Sequence, residues 1–169
     1  MEDYHHCSSI KVDTVIETLT TNLKGNKVVI FSQFLETMRI LTKVFEKNNI
    51  KFLSFDGSTS PAKRIELVTE FQAENSDYQV FLISLTAGNS GINLTKANYV
   101  FLVEPWWNKA VQQQAINRVH RIGQDQPVFA YNMICKDTIE EKIIELQNQK
   151  QIISDEVIGS DEGFVKNLS

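Results

Sequence analysis

Four short runs constrain the fold of this chain more than any other feature. Residues 27–31 (K-V-V-I-F), 52–55 (F-L-S-F), 80–83 (V-F-L-I) and 99–103 (Y-V-F-L-V) are rich in β-branched and aromatic residues and carry almost no polar alternation. That is the pattern of strands covered on both faces. Between them the spacing turns helical: Val12, Val15, Ile16, Leu19 and Leu23 recur at one helical face before Gly25, and Phe34, Met38, Leu41 and Phe45 do so after the first strand. Ser60-Pro61 sets an N-cap and an N1 proline ahead of a helix expected to turn Ile65, Val68 and Phe71 inward. A fifth strand is expected over 128–134, and a capping box at 138–141 opens a last helix with Ile139, Ile143 and Leu146 on one side. Strands alternating with helices predict βαβ units, hence an α/β chain with a mostly parallel sheet and helices on both faces.

Binding sites in such folds lie beyond the carboxyl ends of the strands. The unusual loops fall there: Ser32-Gln33 after the first strand, Asp56-Gly57 after the second, 84–95 after the third and 104–108 after the fourth. Residues 84–94 (S-L-T-A-G-N-S-G-I-N-L) carry Gly88 and Gly91, which let backbone approach an anion, Asn89, which tolerates a left-handed conformation, and the hydroxyls of Thr86 and Ser90. The segment is suited to phosphate, although its glycines do not match G-x-G-x-x-G. No glycine in the chain precedes Lys and Ser/Thr as in a Walker A loop, so a triphosphate would need its phosphate- and metal-binding groups from elsewhere. Asp155-Glu156 follows a polar helix end rather than a strand, and adjacent His5, His6 and Cys7 cannot easily converge on one ion. No metal site is expected.

Residues 114–124 (Q-A-I-N-R-V-H-R-I-G-Q) read as a helix stopped by Gly123 and Pro127. At helical spacing Gln114, Arg118 and Arg121 fall within about 60° of one another, beside an apolar stripe of Val111, Ala115, Val119 and Ile122. The helix itself contains no acid at i±3 or i±4 of either arginine, so no partner on the same helix accounts for them. Clustered guanidiniums without such a partner suit phosphate. His120 points elsewhere and reads as structural; Trp106 and Trp107 read as core or interface, with one able to touch nucleic acid.

A length of 169 residues with 42% hydrophobic residues supports one well-cored domain. The net charge of −4 is unevenly spread: residues 137–169 hold eight Asp/Glu and three Lys, leaving the first 136 near neutral. From Trp106 to Gln124 there are Lys109, Arg118 and Arg121 and no acid, so local positive potential survives the acidic total. No apolar run reaches membrane-span length and no signal peptide is evident. A soluble, intracellular protein with no membrane partner is expected. Cys7 and Cys135 are distant in sequence, and no disulfide framework is expected.

Together V-V-I-F-S-Q-F (28–34), F-D-G-S (55–58), L-T-A-G-N-S-G-I-N-L (85–94), E-P-W-W-N (104–108) and Q-A-I-N-R-V-H-R-I-G-Q (114–124) resemble motifs IV to VI of the Swi/Snf family, DNA-dependent ATPases of helicase superfamily 2. The resemblance runs from about Ser9 to Gly159 and implies the second, C-terminal RecA-like lobe of the motor, a three-layer sandwich. The expected division is a disordered N-terminus over 1–8, the lobe over 9–159 and an acidic C-terminal tail over 160–169. The resemblance further implies ATP with Mg2+ held by an N-terminal RecA-like lobe of the same polypeptide, with Arg118 and Arg121 as arginine fingers assisted by Gln114. Gly91 and Asn93 would join the arginines at the nucleotide. Ser32, Gln33, Gly57, Thr86, Gly88 and Trp107 would contact double-stranded DNA, naked or nucleosomal, in the nucleus. This lobe alone would be inactive. Three positions depart from the family pattern: Asn89 for glycine, Asn117 for an acid or glycine, and Lys109 for proline, read here as a subfamily difference. An RNA-directed helicase lobe and a non-catalytic interaction module are the alternatives.

Overall fold

The computed structural model describes residues 2–87, 91–106, 108–136, 140–146 and 148, with backbone alone for 2–9. Strands β1 (Val28–Ser32), β2 (Phe52–Phe55), β3 (Val80–Ser84), β4 (Tyr99–Leu102) and β5 (Phe129–Asn132) form one sheet in the order β2-β3-β1-β4-β5. Every pairing is parallel, with Val28 opposite both Val80 and Tyr99. Because all strands run the same way, the four loops expected at the carboxyl rim do share one edge of the sheet.

The strand period of two splits the core into two layers. Val29, Phe31, Phe81, Ile83, Val100 and Leu102 join Leu67, Phe71, Ala115 and Val119 on one face. Val28, Ile30, Val80, Leu82 and Phe101 join Val12, Val15, Leu19, Met38, Leu41 and Phe45 on the other. Helices α1 (Glu2–Thr20) and α2 (Leu35–Lys47) therefore cover one face, and α3 (Pro61–Gln72) and α4 (Lys109–Ile116) the other. This is the three-layer α/β sandwich expected. Each fully buried aromatic of this core, such as Phe31, Phe71 and Phe81, contributes on the order of 2–3 kcal/mol by leaving water.

Several local expectations are corrected. Helix α1 starts at Glu2, well ahead of the apolar stripe that opens at Val12; residues 2–8 contain neither Gly nor Pro to break it. Phe34 caps α2 and is exposed instead of packing inward. On α3 the buried residues are Leu67 and Phe71, with Val68 packed beside them, while Ile65 is 68% exposed. The stripe at i, i+3, i+4 and i+7 runs through Arg64, Leu67, Val68 and Phe71, so Ile65 falls off its flank. Strand β5 is exposed along its length, as the edge of the sheet. Cys135 is disulfide-bonded, where nothing in the sequence led one to expect a disulfide. Thr138 and Ile139 of the capping box and the acidic tail lie outside the described residues.

Candidate functional site

The rim after β1 and β4 is built around one buried carboxylate. Glu104 is 5% exposed and accepts from Ser32 Oγ at 3.0 and 3.1 Å, from the Gln33 N–H at 3.1 Å, and from Thr37. Gln33 Nε2 donates to the Pro105 carbonyl at 3.2 Å, so the two loops are stitched twice. Burial pushes the Glu104 carboxyl above its ordinary value; the bonds from Gln33, Thr37 and Ser32 and the charge of Lys11 pull the other way. Lys11, itself buried, reaches from α1 to donate to the Val103 carbonyl at 2.6 Å and to Glu140 at 2.7 Å.

This arrangement changes what two of the expected DNA contacts can do. Ser32 is fully buried and its hydroxyl is engaged by Glu104, so it positions its neighbours and cannot itself reach a phosphate here. Gln33 is half-buried beside exposed Phe34 and keeps a place at the surface.

The loops after β2 and β3 are joined by a residue that the motifs did not mark. Arg64, on α3, donates to the carbonyls of Thr59 (2.9 Å), Asp56 and Gly57 (both 3.3 Å) and to that of Ala87 (3.3 Å). Its guanidinium also lies over the Phe55 ring, 5.4 Å from the centroid. Asp56 accepts from the Ser58 hydroxyl and N–H, and those bonds hold its carboxyl below the ordinary carboxylate range. Gly57 and Thr86 are both exposed on this part of the rim, Thr86 sharing a 2.9 Å bond with Ser84. Gly88 and Trp107, also expected at DNA, and the Asn89 departure lie outside the described residues.

The arginines are not on a helix, and the single-face geometry expected for them is overturned. Helix α4 ends at Ile116 with Asn117 as its C-cap, where Asn117 Oδ1 accepts from Gln113 Nε2 at 3.0 Å. Beyond it the backbone tightens, Arg118 N–H to Ala115 O and Val119 N–H to Ile116 O, the i−3 pattern of a closing turn. The Arg118 carbonyl then accepts from the Leu94 N–H at 2.9 Å, a tertiary partner in place of the next helical one. Val119 is fully buried and Ile122 fully exposed. Of the expected apolar stripe, Ala115 and Val119 enter the core, Val111 packs against its edge and Ile122 does not join it.

Two sets of expected nucleotide residues nonetheless meet. Arg121 Nη1 lies 3.5 Å from the Gly91 carbonyl and 3.4 Å from that of Ile92, at the end of the phosphate-friendly loop. Gly91 holds a left-handed φ of 69°, which favours glycine there. Asn93 is exposed and closes a local turn with Thr95. Arg118 is half-buried, with no ion pair or side-chain hydrogen bond among the described residues; Gln114 is exposed on α4.

What holds this irregular loop is Gln124. Its Nε2 donates to the carbonyls of Ala97 (2.6 Å), Thr95 (3.0 Å) and Val119 (3.3 Å), and its Oε1 accepts from the Gln126 N–H at 3.0 Å. Sequence carries no signal for this role or for that of Arg64. A lone acid directly after an apolar strand was the available signal for Glu104. Among the described residues no cluster of His, Cys, Asp or Glu could hold a metal, and no helix is long and apolar enough to cross a membrane.

Residues 10–123 match the family described as Helicase conserved C-terminal domain. The chain is 44% identical over 124 residues to the DNA repair protein RAD5 of Cryptococcus neoformans var. neoformans, covering 73% of this chain and 10% of that protein. It is 38% identical over 163 residues to the DNA repair protein rad8 of Schizosaccharomyces pombe, covering 95% and 14%. The crystal structure of the C-terminal part of the Fun30 ATPase domain superposes with a TM-score of 0.77 at 40% identity, over 81% of this chain and 45% of that one. The chain thus spans a small fraction of the length of these full-size relatives.

Proposed function

The chain belongs to the helicase conserved C-terminal domain family, in its Snf2-type branch with a RecA-like fold, and on that premise we propose that it is the second motor lobe of an ATP-driven double-stranded DNA translocase. The lobe spans residues 9–159. Its work is done across a cleft, with ATP and Mg2+ held by a first lobe of the same polypeptide in a nuclear DNA-repair or chromatin-remodelling protein.

The observation that carries this reading is the meeting of Arg121 with the Gly91–Ile92 segment. An arginine finger must be held where negative charge develops on a transferring phosphoryl group, yet be free to engage it. Arg121 is exposed and, among the described residues, its side chain has two long contacts to carbonyls, and Arg118, three residues before it, is half-buried. Both are placed to turn onto a phosphate presented from outside this lobe. Gly91 and Asn93 border the same site, with Gln114 one helical turn before the loop. The DNA track is assigned to Gln33, Gly57, Thr86, Gly88 and Trp107, with Ser32 supporting Gln33 from beneath. Contacts of this kind to phosphate carry no base information, so a sequence-tolerant motor follows.

Arg121→Ala in the full-length protein tests the reading. DNA-stimulated ATP hydrolysis is expected to fall by about 10³ or more while DNA affinity stays near wild type. Retained hydrolysis would overturn the arginine-finger assignment. Stimulation by duplex RNA in preference to duplex DNA would transfer the lobe to an RNA-directed motor, and a full-length protein with no hydrolysis at all would make it an interaction module.

A further inference from the structure

The arginines lie past the end of α4, where one helical bond remains, His120 N–H to the Ile116 carbonyl at 3.0 Å, so other contacts must help to set their position. The described residues supply three ties. Val119 is a fully buried plug between Arg118 and His120. The Arg118 carbonyl is bonded to the Leu94 N–H. The third tie is the Gln124 side chain. Its carboxamide spans from the end of the arginine loop to Thr95 and Ala97, the two residues flanking Lys96 just after the Gly91–Asn93 segment, and back to Val119 inside the loop.

We propose that Gln124 is a positioning residue for hydrolysis: it latches the arginine loop to the 91–97 segment, so that Arg118 and Arg121 keep a set distance from Gly91 and Asn93 as the nucleotide is engaged. The chemistry demands a carboxamide of this length. Three carbonyl oxygens face Nε2, two N–H groups serve them with one shared, and Oε1 faces the Gln126 N–H. A carboxylate would set an acceptor against three acceptors, and an apolar side chain would leave the carbonyls without this donor. Gly123 makes the reach possible with a φ of 97°, and the Gln124 N–H closes the turn on the Arg121 carbonyl at 3.0 Å. The latch thus begins three residues from Arg121 and touches neither nucleotide nor DNA itself.

The inference rests on the motor reading above, and its test separates the two. In the full-length protein, Gln124→Glu and Gln124→Met are measured for DNA-stimulated ATP turnover beside Arg121→Ala and wild type, with thermal melting of each. The expected result is a fall in kcat on the order of 10²-fold, the scale of a misplacement near 1 Å. KM for ATP and DNA affinity are expected to stay near wild type. Combining Gln124→Met with Arg121→Lys should cost less than the product of the two single effects, as for residues acting through one another. Wild-type kcat in both Gln124 variants, a loss spread equally over kcat, KM and DNA affinity, or unfolding of both variants would each overturn the latch. If Arg121→Ala itself hydrolyses normally, the motor reading fails instead.

Discussion

The loops after β1 and β4 and the arginine loop between α4 and β5 are held in different ways. The loops after β1 and β4 close over a buried Glu104 that meets Ser32, Gln33 and Thr37, with Gln33 also bonded to Pro105. The arginine loop has one buried side chain, Val119, a few backbone bonds and the single carboxamide of Gln124, while Arg121 and Ile122 stand in solvent. A buried network leaves its members no alternative partners, because each broken bond strands a desolvated group. A surface loop loses little when an exposed side chain swings. On the proposed function the difference divides the labour: the loops after β1 and β4 would be a fixed platform for DNA, and the arginine loop would present groups that must still move onto a phosphate.

Four measurements would break or sharpen that contrast. The largest effect is expected from Arg118→Ala in the full-length protein, which should lower ATP turnover by about 10³-fold yet leave the melting of this chain unchanged. A marked loss of stability would mean that Arg118 belongs to the fold rather than to the reaction. Glu104→Ala should do the reverse to stability, removing about 2–3 kcal/mol by stranding the Ser32, Gln33 and Thr37 donors, as read by urea unfolding. If the midpoint barely moves, the platform is not held by its carboxylate.

Val119→Ala should cost about 1.5–2 kcal/mol in the same assay, the loss of two buried methyl groups with partial collapse of the site. A smaller loss would show that the backbone bonds and Gln124 suffice to seat the loop. The smallest effect concerns pH. Burial raises Glu104 above its ordinary value of 4.5, so the native state holds a proton that the unfolded chain has released. Through the window just above 4.5, the contribution of this group to stability therefore falls as pH rises. Unfolding of wild type compared with Glu104→Gln should reveal that slope in the difference between them, and parallel curves would contradict the raised pKa.

Much of this was legible before any coordinates. The uninterrupted apolar strands announced a sheet buried on both faces, and alternate residues such as Val28 and Val29 do divide between the two core layers. Periodicity also found Val12, Val15 and Leu19 on α1 and Met38, Leu41 and Phe45 on α2. It failed where two stripes fit equally well, as with Ile65 against Leu67 on α3. It also failed where a helical pattern continued past the end of the helix: Val119 and Ile122 share a helical face in the sequence, yet one is fully buried and the other fully exposed.

The chemistry of the rim was likewise written in residue types, since glycines, hydroxyls and arginines are recognisable wherever they stand. By itself the amino-acid sequence determined the class of fold, the edge on which the loops after the strands gather and which residue types are suited to phosphate. Those properties follow from local spacing and side-chain chemistry. Tertiary structure alone decided that α4 stops at Ile116, that Ser32 is turned beneath the surface, and that Gln124 and Arg64 tie separate loops together. Each depends on a partner distant in sequence, such as the Leu94 N–H that takes the Arg118 carbonyl or the Glu104 carboxylate that takes the Ser32 hydroxyl. A backbone or side-chain group chooses among competing partners only once the fold has brought them within hydrogen-bonding distance.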